Sequence, residues 1–307
     1  MAGEKGGARM GQRGRTRPGD SDTVDERFRD GLDSHWTRVT PNGGAVDVGA
    51  EGAEGAGGLR LSFPNGAHSG RYTNAQIDDY GSQSAPRFHW RPPLLVEIRA
   101  RASHRAHPAR TEPPDRLEDQ QWLRGTAGFG FWNYPFSLTG AVLRLPAAIW
   151  FFAASPPSNM ALVPGSPGWG WKAQVVNAHR PGALLAAPPT AAAVAWALIS
   201  RRETMASRWV QRLSGSVEAA LDTDLREWHT YTIDWRPDHA RFAVDGVEAL
   251  SVANPPRGPM GFVAWVDNQY AVATPRGQFR FGTLATGPEW LEIEALRILH
   301  GADGAQV

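Results

Sequence analysis

The segment REWHTYTIDWRPDHARFAVDGV, Arg226–Val247, contains two short runs in which apolar and polar residues alternate, WHTYTIDW and ARFAVDG. Alternation with a period of two is typical of strands that bury one face. The RPDH stretch between them contains Pro237, which cannot donate to a β-ladder, and Asp238, which favours turns. The segment therefore predicts a strand, a turn and a second strand.

Seven further runs of this type occur on either side of that segment. They are LRLSF (59–63), LLVEIRARA (94–102), AGFGFWNYPF (127–136), AAIWFFAAS (147–155), WKAQVVNA (171–178), MGFVAWVDN (260–268) and WLEIEALRI (290–298). With 34 Gly and 24 Pro in 307 residues separating such runs, the sequence predicts an all-β sandwich or barrel.

The predicted organisation is one domain at 24–300, with a disordered arm at 1–23 and a flexible tail at 301–307. The segment 189–213 breaks the β pattern because it is rich in Ala and repeats apolar residues at helical spacing. We expect a helical insertion there. It could pack on the sandwich edge, cover a cleft or form a dimer contact, and the sequence leaves the oligomeric state open.

Charge and composition exclude several functional classes. The net charge is +1, from 32 Lys and Arg against 31 Asp and Glu, so the chain offers no overall field to attract nucleic acid. It has no Cys, and His104 and His107 lack a nearby carboxylate partner, so we expect no metal site and no cofactor. The first twenty residues contain no apolar run and no segment is long enough to span a membrane, so we expect a cytoplasmic protein.

Arg226–Val247 resembles the strand, turn and strand of laminarinase-like (family 16) glycoside hydrolases, which typically read H-x-Y-x-x-x-W-x-P-x-x-I-x-F-x-V-D-G. Gly128–Phe136 is similar to that family's G-x-W-P-A-x-W strand, and Trp290–Ile298 is similar to its closing strand. The resemblance covers about 24–299. It implies a concanavalin A-like jelly roll, in which two curved antiparallel sheets place a ligand cleft on the concave face.

The catalytic carboxylates of that family are missing. The strand that follows the G-x-W-P-A-x-W strand normally carries Glu-x-Asp-x-Glu, with all three carboxylates directed into the cleft. The corresponding residues here are Ala148, Trp150 and Phe152, and no Asp or Glu occurs in 120–202. Retaining hydrolysis needs two carboxylates about 5 Å apart. We therefore expect hydrolysis by the family mechanism to be absent.

The strand at 147–155 is apolar on both predicted faces, so its cleft side must be covered. We expect an apolar cleft walled by aromatic side chains, although some of these rings could instead fill the core between the sheets. The candidate walls are Trp132, Trp150, Phe152, Trp171 and Trp265. The helical insertion is the candidate cover.

Several polar residues are candidates for ligand contact or chemistry. Asn133 and Tyr134 interrupt an apolar strand, and Asn268 ends another. Lys172 and Asp267 are the candidate catalytic residues, because a Lys desolvated in the cleft could act as an acid or base. Each has a structural alternative: buried polar groups need partners, lysines usually face solvent, and Asp and Asn stabilise turns.

Two functions follow from these patterns. The first is an intracellular protein that binds a hydrophobic small molecule, with no nucleic acid partner, and that could cyclise or isomerise a terpenoid, polyene or polyketide. The second is a catalytically inactive carbohydrate-binding protein descended from a glycoside hydrolase, with Trp rings as stacking platforms. A sugar would need paired polar groups beside those rings. The unbroken apolar strand favours the first function.

Overall fold

The computed structural model describes residues 23–49, 57–81, 86–109, 121–133, 146–159, 168–178, 215–273 and 279–301. These residues form seventeen β-strands and a single-turn 3-10 helix at Pro41–Gly43. The strands are β1 (Thr23–Glu26), β2 (Thr37–Val39), β3 (Ala45–Val48), β4 (Leu59–Phe63), β5 (Asn74–Asp78), β6 (Leu94–Ala102), β7 (Thr126–Trp132), β8 (Ala147–Ala154), β9 (Gly170–Asn177), β10 (Val217–Ala220), β11 (His229–Trp235), β12 (His239–Val244), β13 (Val247–Ala253), β14 (Gly261–Asp267), β15 (Gln269–Ala273), β16 (Phe279–Thr283) and β17 (Glu289–His300).

The strands form two large antiparallel sheets and a small hairpin. The eight-stranded sheet has the order β13-β12-β11-β6-β17-β4-β3, and β1 pairs with β17. The seven-stranded sheet has the order β10-β9-β8-β7-β14-β5-β2, and β15 pairs with β16 alone. Neighbours in each large sheet are often distant in sequence, as in β6 with β17. This is the jelly-roll architecture that the resemblance implies, so the predicted all-β sandwich is confirmed.

The core lies between the two large sheets, and period-two alternation explains which residues enter it. On β8, Ile149 and Phe151 are fully buried in this core, whereas Trp150 and Phe152 point to the opposite face of the sheet. On the facing sheet, Tyr231 and Phe242 contact Phe151 at ring distances of 5.0 and 5.4 Å. One face of the seven-stranded sheet is therefore used for packing. The other face is called here the outer face.

All nine runs identified in the sequence form strands, most of them within one or two residues of the expected ends. The predicted helical insertion at 189–213, Tyr134, nearly all of the predicted arm and the tail after Gly301 lie outside the described residues. No helix in the described ranges is long and apolar enough to cross a membrane.

Candidate ligand-binding face

The outer face of the seven-stranded sheet is centred on aromatic rings from three neighbouring strands. Trp132 lies on β7, Trp150 and Phe152 on β8, and Trp265 on β14. The Trp150 ring stacks on Phe152 at 5.6 Å with an interplanar angle of 18°, and lies 5.3 Å from Trp265 and 6.0 Å from Trp132. These four residues form one continuous aromatic cluster.

Glycines on β7 allow rings from the two flanking strands to meet. Gly130 is opposite Trp150, and Gly128 lies between Phe152 on β8 and Trp265 on β14. Strands two apart are separated by about 10 Å, yet Trp150 and Trp265 are 5.3 Å apart because no side chain stands between them. A Cβ at Gly130 would come within 2.6 Å of the Trp150 Cα. The cluster therefore depends on both glycines.

A polar row on β5 borders one side of the aromatic cluster. Asn74 donates to Gln76 Oε1 (3.2 Å), and Gln76 Nε2 donates to Asp78 Oδ2 (2.9 Å) and Tyr80 Oη (3.2 Å). Trp132 Nε1 also donates to Tyr80 Oη (3.0 Å), which connects the row to the rings. Burial raises the pKa of Asp78 to about 6, although hydrogen bonds from Gln76 and Gly81 oppose that rise.

A second polar group, on β9 and the edge strand β10, borders the opposite side. Lys172 Nζ lies 2.8 Å from Glu218 Oε1, and the two side chains are 3% and 0% exposed. Gln174 Nε2 donates to Glu218 Oε2 (2.7 Å), and Gln174 Oε1 accepts a hydrogen bond from Trp150 Nε1 (2.8 Å). The aromatic cluster is therefore flanked on both sides by amides and carboxyl groups.

Asp267 lies at the end of β14 beside this face. Thr126 Oγ1 donates to Asp267 Oδ1 (2.7 Å) and accepts a hydrogen bond from Trp265 Nε1 (2.9 Å). Burial raises the pKa of Asp267 to about 6, while the bonds from Thr126 and from the Gln269 N–H oppose the rise. The carboxyl group thus orients Trp265 through Thr126.

Within the described ranges, the carboxyl groups of the outer face are too far apart for paired catalysis. Glu218 on β10 and Asp78 on β5 are five strands apart in the sheet, about 24 Å at the usual strand spacing. Asp78 is opposite Val263, and Asp267 is four residues further along β14, about 13 Å at the usual rise. Glycosidase pairs are about 5 to 9.5 Å apart. These three groups therefore do not form a hydrolytic pair.

The structure corrects two of the predicted cleft residues. Trp171 lies on the core side of β9, packed against Phe129 and Tyr231, so it is not a wall of the outer face. Alternation explains this, because Trp171 is adjacent to Lys172 and therefore points to the opposite face.

Asn268 is fully buried and connects neighbouring backbone segments: Oδ1 accepts a hydrogen bond from the Thr73 N–H, and Nδ2 donates to carbonyls of three residues. These are His68, Arg71 and Leu284.

The other predicted residues are placed as follows. Trp132, Trp150, Phe152 and Trp265 share the outer face, as expected from alternation. Asn133 is buried just after β7, where Oδ1 accepts a hydrogen bond from the Ala147 N–H (3.1 Å). Lys172 faces outward, but it is paired with a carboxylate.

The polar residues that sequence reasoning missed on this face are Asn74, Gln76, Asp78, Tyr80, Gln174 and Glu218. The alternation in NAQID (74–78) was the signal for the first of them. The strand VEAA at β10 gave none, because Glu and Ala are weak strand formers. Because the sequence did not predict β10, it also did not predict Glu218 as the partner of Lys172.

A possible cation-binding group lies elsewhere, around the connection from β1 to β2. Donor atoms of Glu26, Asp33 and His35 lie within 4.8 Å of one another. Asp33 Oδ1 is already 2.9 Å from His35 Nδ1, and Glu26 Oε1 accepts from Trp36 Nε1 at 3.0 Å. Because these atoms are already used in hydrogen bonds within the protein, we assign no metal to them.

Comparison with known proteins gives one family match. The model of "Glycosyl hydrolases family 16" matches residues 213–266, which run from just before β10 to near the end of β14. None of the curated proteins matches the sequence significantly.

Solved structures with similar folds include a Crh5 transglycosylase in complex with NAG, at 13% identity and a TM-score of 0.46, with 92% of this chain and 85% of that chain covered. An endo-beta-1,3-glucanase from Pyrococcus furiosus has 10% identity and a TM-score of 0.47 over 92% and 94% of the two chains. The endo-1,3-beta-glucanase catalytic domain from Thermotoga petrophila has 12% identity and a TM-score of 0.44 over 90% and 95%. The family match and the two antiparallel sheets that contain it show that this chain has a jelly-roll fold like that of the family 16 glycosyl hydrolases.

Proposed function

We propose that the chain is a non-hydrolytic carbohydrate-binding protein that holds its ligand on the outer face of the seven-stranded sheet. The observation that carries this proposal is the aromatic cluster with hydrogen-bonding side chains on both sides. A sugar ring combines an apolar C–H surface with hydroxyl groups around its edge. It therefore fits a platform of rings bordered by amides and carboxyl groups.

Trp132 and Trp150 are the candidate stacking residues. Both are half-buried, whereas Phe152 and Trp265 are only 8% exposed and contact the Trp150 ring. The indole N–H of each is already bonded to the protein, Trp132 to Tyr80 and Trp150 to Gln174. These bonds fix the ring planes before a ligand arrives, so less conformational entropy is lost on binding.

The flanking residues suit hydroxyl groups because an amide both donates and accepts, while a carboxylate accepts. Gln76 and Asp78 provide these groups on one side, and Gln174 and Glu218 provide them on the other. The absence of Asp and Glu from 120–202 and the wide separation of the outer-face carboxyl groups support binding without hydrolysis.

An apolar small-molecule ligand is the second candidate, and the burial of the rings favours it. Phe152 and Trp265 are shielded from water, and the Trp132, Trp150 and Phe152 surface is continuous. Cyclisation or isomerisation of such a ligand would need a reactive group there. Lys172, the first sequence candidate, is held by Glu218, whereas Asp78 and Asp267 beside this face have raised pKa values. A cytoplasmic location remains part of this second proposal.

Intrinsic fluorescence can separate the two candidates. The protein is titrated with laminari- and cello-oligosaccharides and, separately, with terpenoid, polyene and fatty-acid ligands. Saturable quenching by an oligosaccharide, lost in Trp132→Ala and kept in Trp290→Ala, supports carbohydrate binding. Trp290 is a matched control, since it is half-buried on the other sheet, against Arg60 and Arg101. A response to the apolar panel alone supports the second candidate.

A further inference from the structure

A chain of three hydrogen bonds links the half-exposed ring of Trp150 to a buried ion pair. Trp150 Nε1 donates to Gln174 Oε1 (2.8 Å), Gln174 Nε2 donates to Glu218 Oε2 (2.7 Å), and Lys172 Nζ donates to Glu218 Oε1 (2.8 Å). Gln174 is only 2% exposed. The chain crosses three adjacent strands, from β8 through β9 to the edge strand β10.

The direction of each bond is fixed by chemistry. An indole N–H can only donate, an ammonium can only donate, and a carboxylate can only accept. The Gln174 amide must therefore turn its oxygen to Trp150 and its nitrogen to Glu218. If position 218 carried a group that donated toward Gln174, the amide would have to turn over and place its own N–H groups against the Trp150 indole.

We propose that Glu218 is a positioning residue that sets the plane of the Trp150 ring through the Gln174 amide, and so controls stacking of the sugar ligand on this face. The effect on ligand binding depends on the proposed carbohydrate function, whereas the effect on Trp150 does not. Lys172 holds the other oxygen of Glu218, so the carboxylate is oriented from both sides.

The first test is Glu218→Gln in the full chain. The amide introduced at position 218 presents its oxygen to Lys172 and therefore its nitrogen to Gln174. The Gln174 amide must then turn over to offer its oxygen to that nitrogen. Its own nitrogen then faces the Trp150 N–H, so two donors meet and the hydrogen bond is lost. The readout is the indole 1H–15N resonance of Trp150 in an NMR spectrum, assigned from its absence in Trp150→Phe. We expect this resonance to move upfield as its hydrogen bond is lost. Glu248→Gln, which alters an exposed carboxylate on β13, should leave it in place.

A reciprocal swap provides the rescue. Gln174→Glu combined with Glu218→Gln keeps the total charge. The carboxylate at position 174 accepts hydrogen bonds from the Trp150 N–H and from the amide nitrogen at position 218. The amide oxygen at position 218 accepts the hydrogen bond from Lys172. We expect the Trp150 resonance and the oligosaccharide affinity to return toward wild-type values. A general loss of packing would not be repaired by this exchange. Gln174→Leu is a further variant if Glu218→Gln folds poorly, since Leu cannot accept the bond and should shift the same resonance.

Failure of this inference and failure of the proposed function give different results. A Trp150 resonance that stays unchanged in folded Glu218→Gln or Gln174→Leu overturns the positioning role. A shifted resonance with at least tenfold weaker laminarihexaose binding, both restored in the swap, supports it in full. If the resonance shifts and the wild type binds no oligosaccharide, the link to Trp150 stands and the role in sugar binding is rejected. If the resonance shifts and the affinity stays the same, Trp150 is not a stacking residue and the proposal fails.

Discussion

A methyl group at Gly128 would lie 2.9 Å from Cη2 of Trp265, and it would also clash with the backbone oxygen of Phe151. The absence of a side chain at Gly128 is therefore what lets the Trp265 ring cross β7 and reach Trp150. Together with Gly130, this position allows the aromatic cluster to form across β7.

Gly128→Ala should destabilise the fold by about 1–3 kcal/mol, because backbone and ring must both shift to admit the methyl group. It should also change the near-ultraviolet circular dichroism of the tryptophans. Chemical unfolding measures the stability. Gly287→Ala is the control, since nothing lies within 4 Å of a Cβ there. Equal stability of the two variants would show that the ring does not occupy this space.

Two buried tyrosines should differ in how much stability they lose with the hydroxyl group. Tyr80 Oη accepts hydrogen bonds from Gln76 and Trp132, so Tyr80→Phe should cost about 1–3 kcal/mol by removing the acceptor of both bonds. Tyr231 Oη is buried and lacks a hydrogen bond of full geometry within the described residues, although it interacts with the Trp171 side chain. Tyr231→Phe should therefore cost less than Tyr80→Phe. Thermal unfolding of both variants checks this, and a larger loss in Tyr231→Phe than in Tyr80→Phe would refute it.

The Lys172–Glu218 pair should tolerate removal of both charges far better than removal of one. Lys172→Met leaves a buried carboxylate without the ammonium beside it and should cost about 3–5 kcal/mol. Lys172→Met with Glu218→Leu removes both charges and should recover most of that loss. Urea unfolding of the single and double variants measures the coupling. An additive loss in the double variant would mean that the two charges do not interact.

Stability should fall as pH rises, in part because of Glu289. Burial raises the pKa of this carboxyl to about 8 from 4.5, although a hydrogen bond from the Arg124 N–H, shared between the two carboxyl oxygens, opposes the rise. The folded state therefore binds the proton more tightly than the unfolded chain. This stabilisation is complete below about pH 4.5 and is lost as pH rises through about 8.

Glu289→Gln cannot ionise, so its stability relative to the wild type should improve between pH 5 and 9 by as much as about 4 kcal/mol. Denaturant unfolding across this range provides the comparison. Other buried acids, such as Asp78 and Asp267, remain in both proteins, so the difference isolates Glu289. The exposed substitution Glu248→Gln should parallel the wild type. A parallel curve for Glu289→Gln would show that this carboxyl is already ionised in the folded protein.

Strands with strong alternation were predictable from sequence, and short polar strands were not. LRLSF became β4 and LLVEIRARA became β6 with their expected ends, because several large apolar residues recur at every second position. β5, NAQID, has the same alternation, but only Ala75 and Ile77 face the core, which is a weak signal. β10 contains Glu218 and two alanines, and it is a strand because it pairs with β9. Tertiary pairing overrode its low intrinsic preference.

The aromatic half of the outer face was predictable and the polar half was not. Alternation on β8 placed Trp150 and Phe152 together. Lys172 on β9 was also a candidate, but the other polar groups lie mainly on β5 and β10, which are distant in sequence from β8 and are brought to it only by the sheet order. Trp171 was misplaced for a related reason: adjacent residues of a strand point to opposite faces, and the sequence did not show which face of β9 enters the core. Local pattern shows alternation, but it does not show which face is outside.

Calorimetric titration with laminarihexaose, followed by mass spectrometry of the recovered sugar, tests the central claim most directly. We expect saturable binding, intact hexaose after prolonged incubation, and affinity at least tenfold weaker in Trp132→Ala but unchanged in Trp290→Ala. Shorter sugars that disappear when one residue of this protein is substituted would contradict the claim that the face binds without hydrolysis. Absence of binding to every oligosaccharide tested, with saturable binding of an apolar ligand, would contradict the claim that the ligand is a carbohydrate.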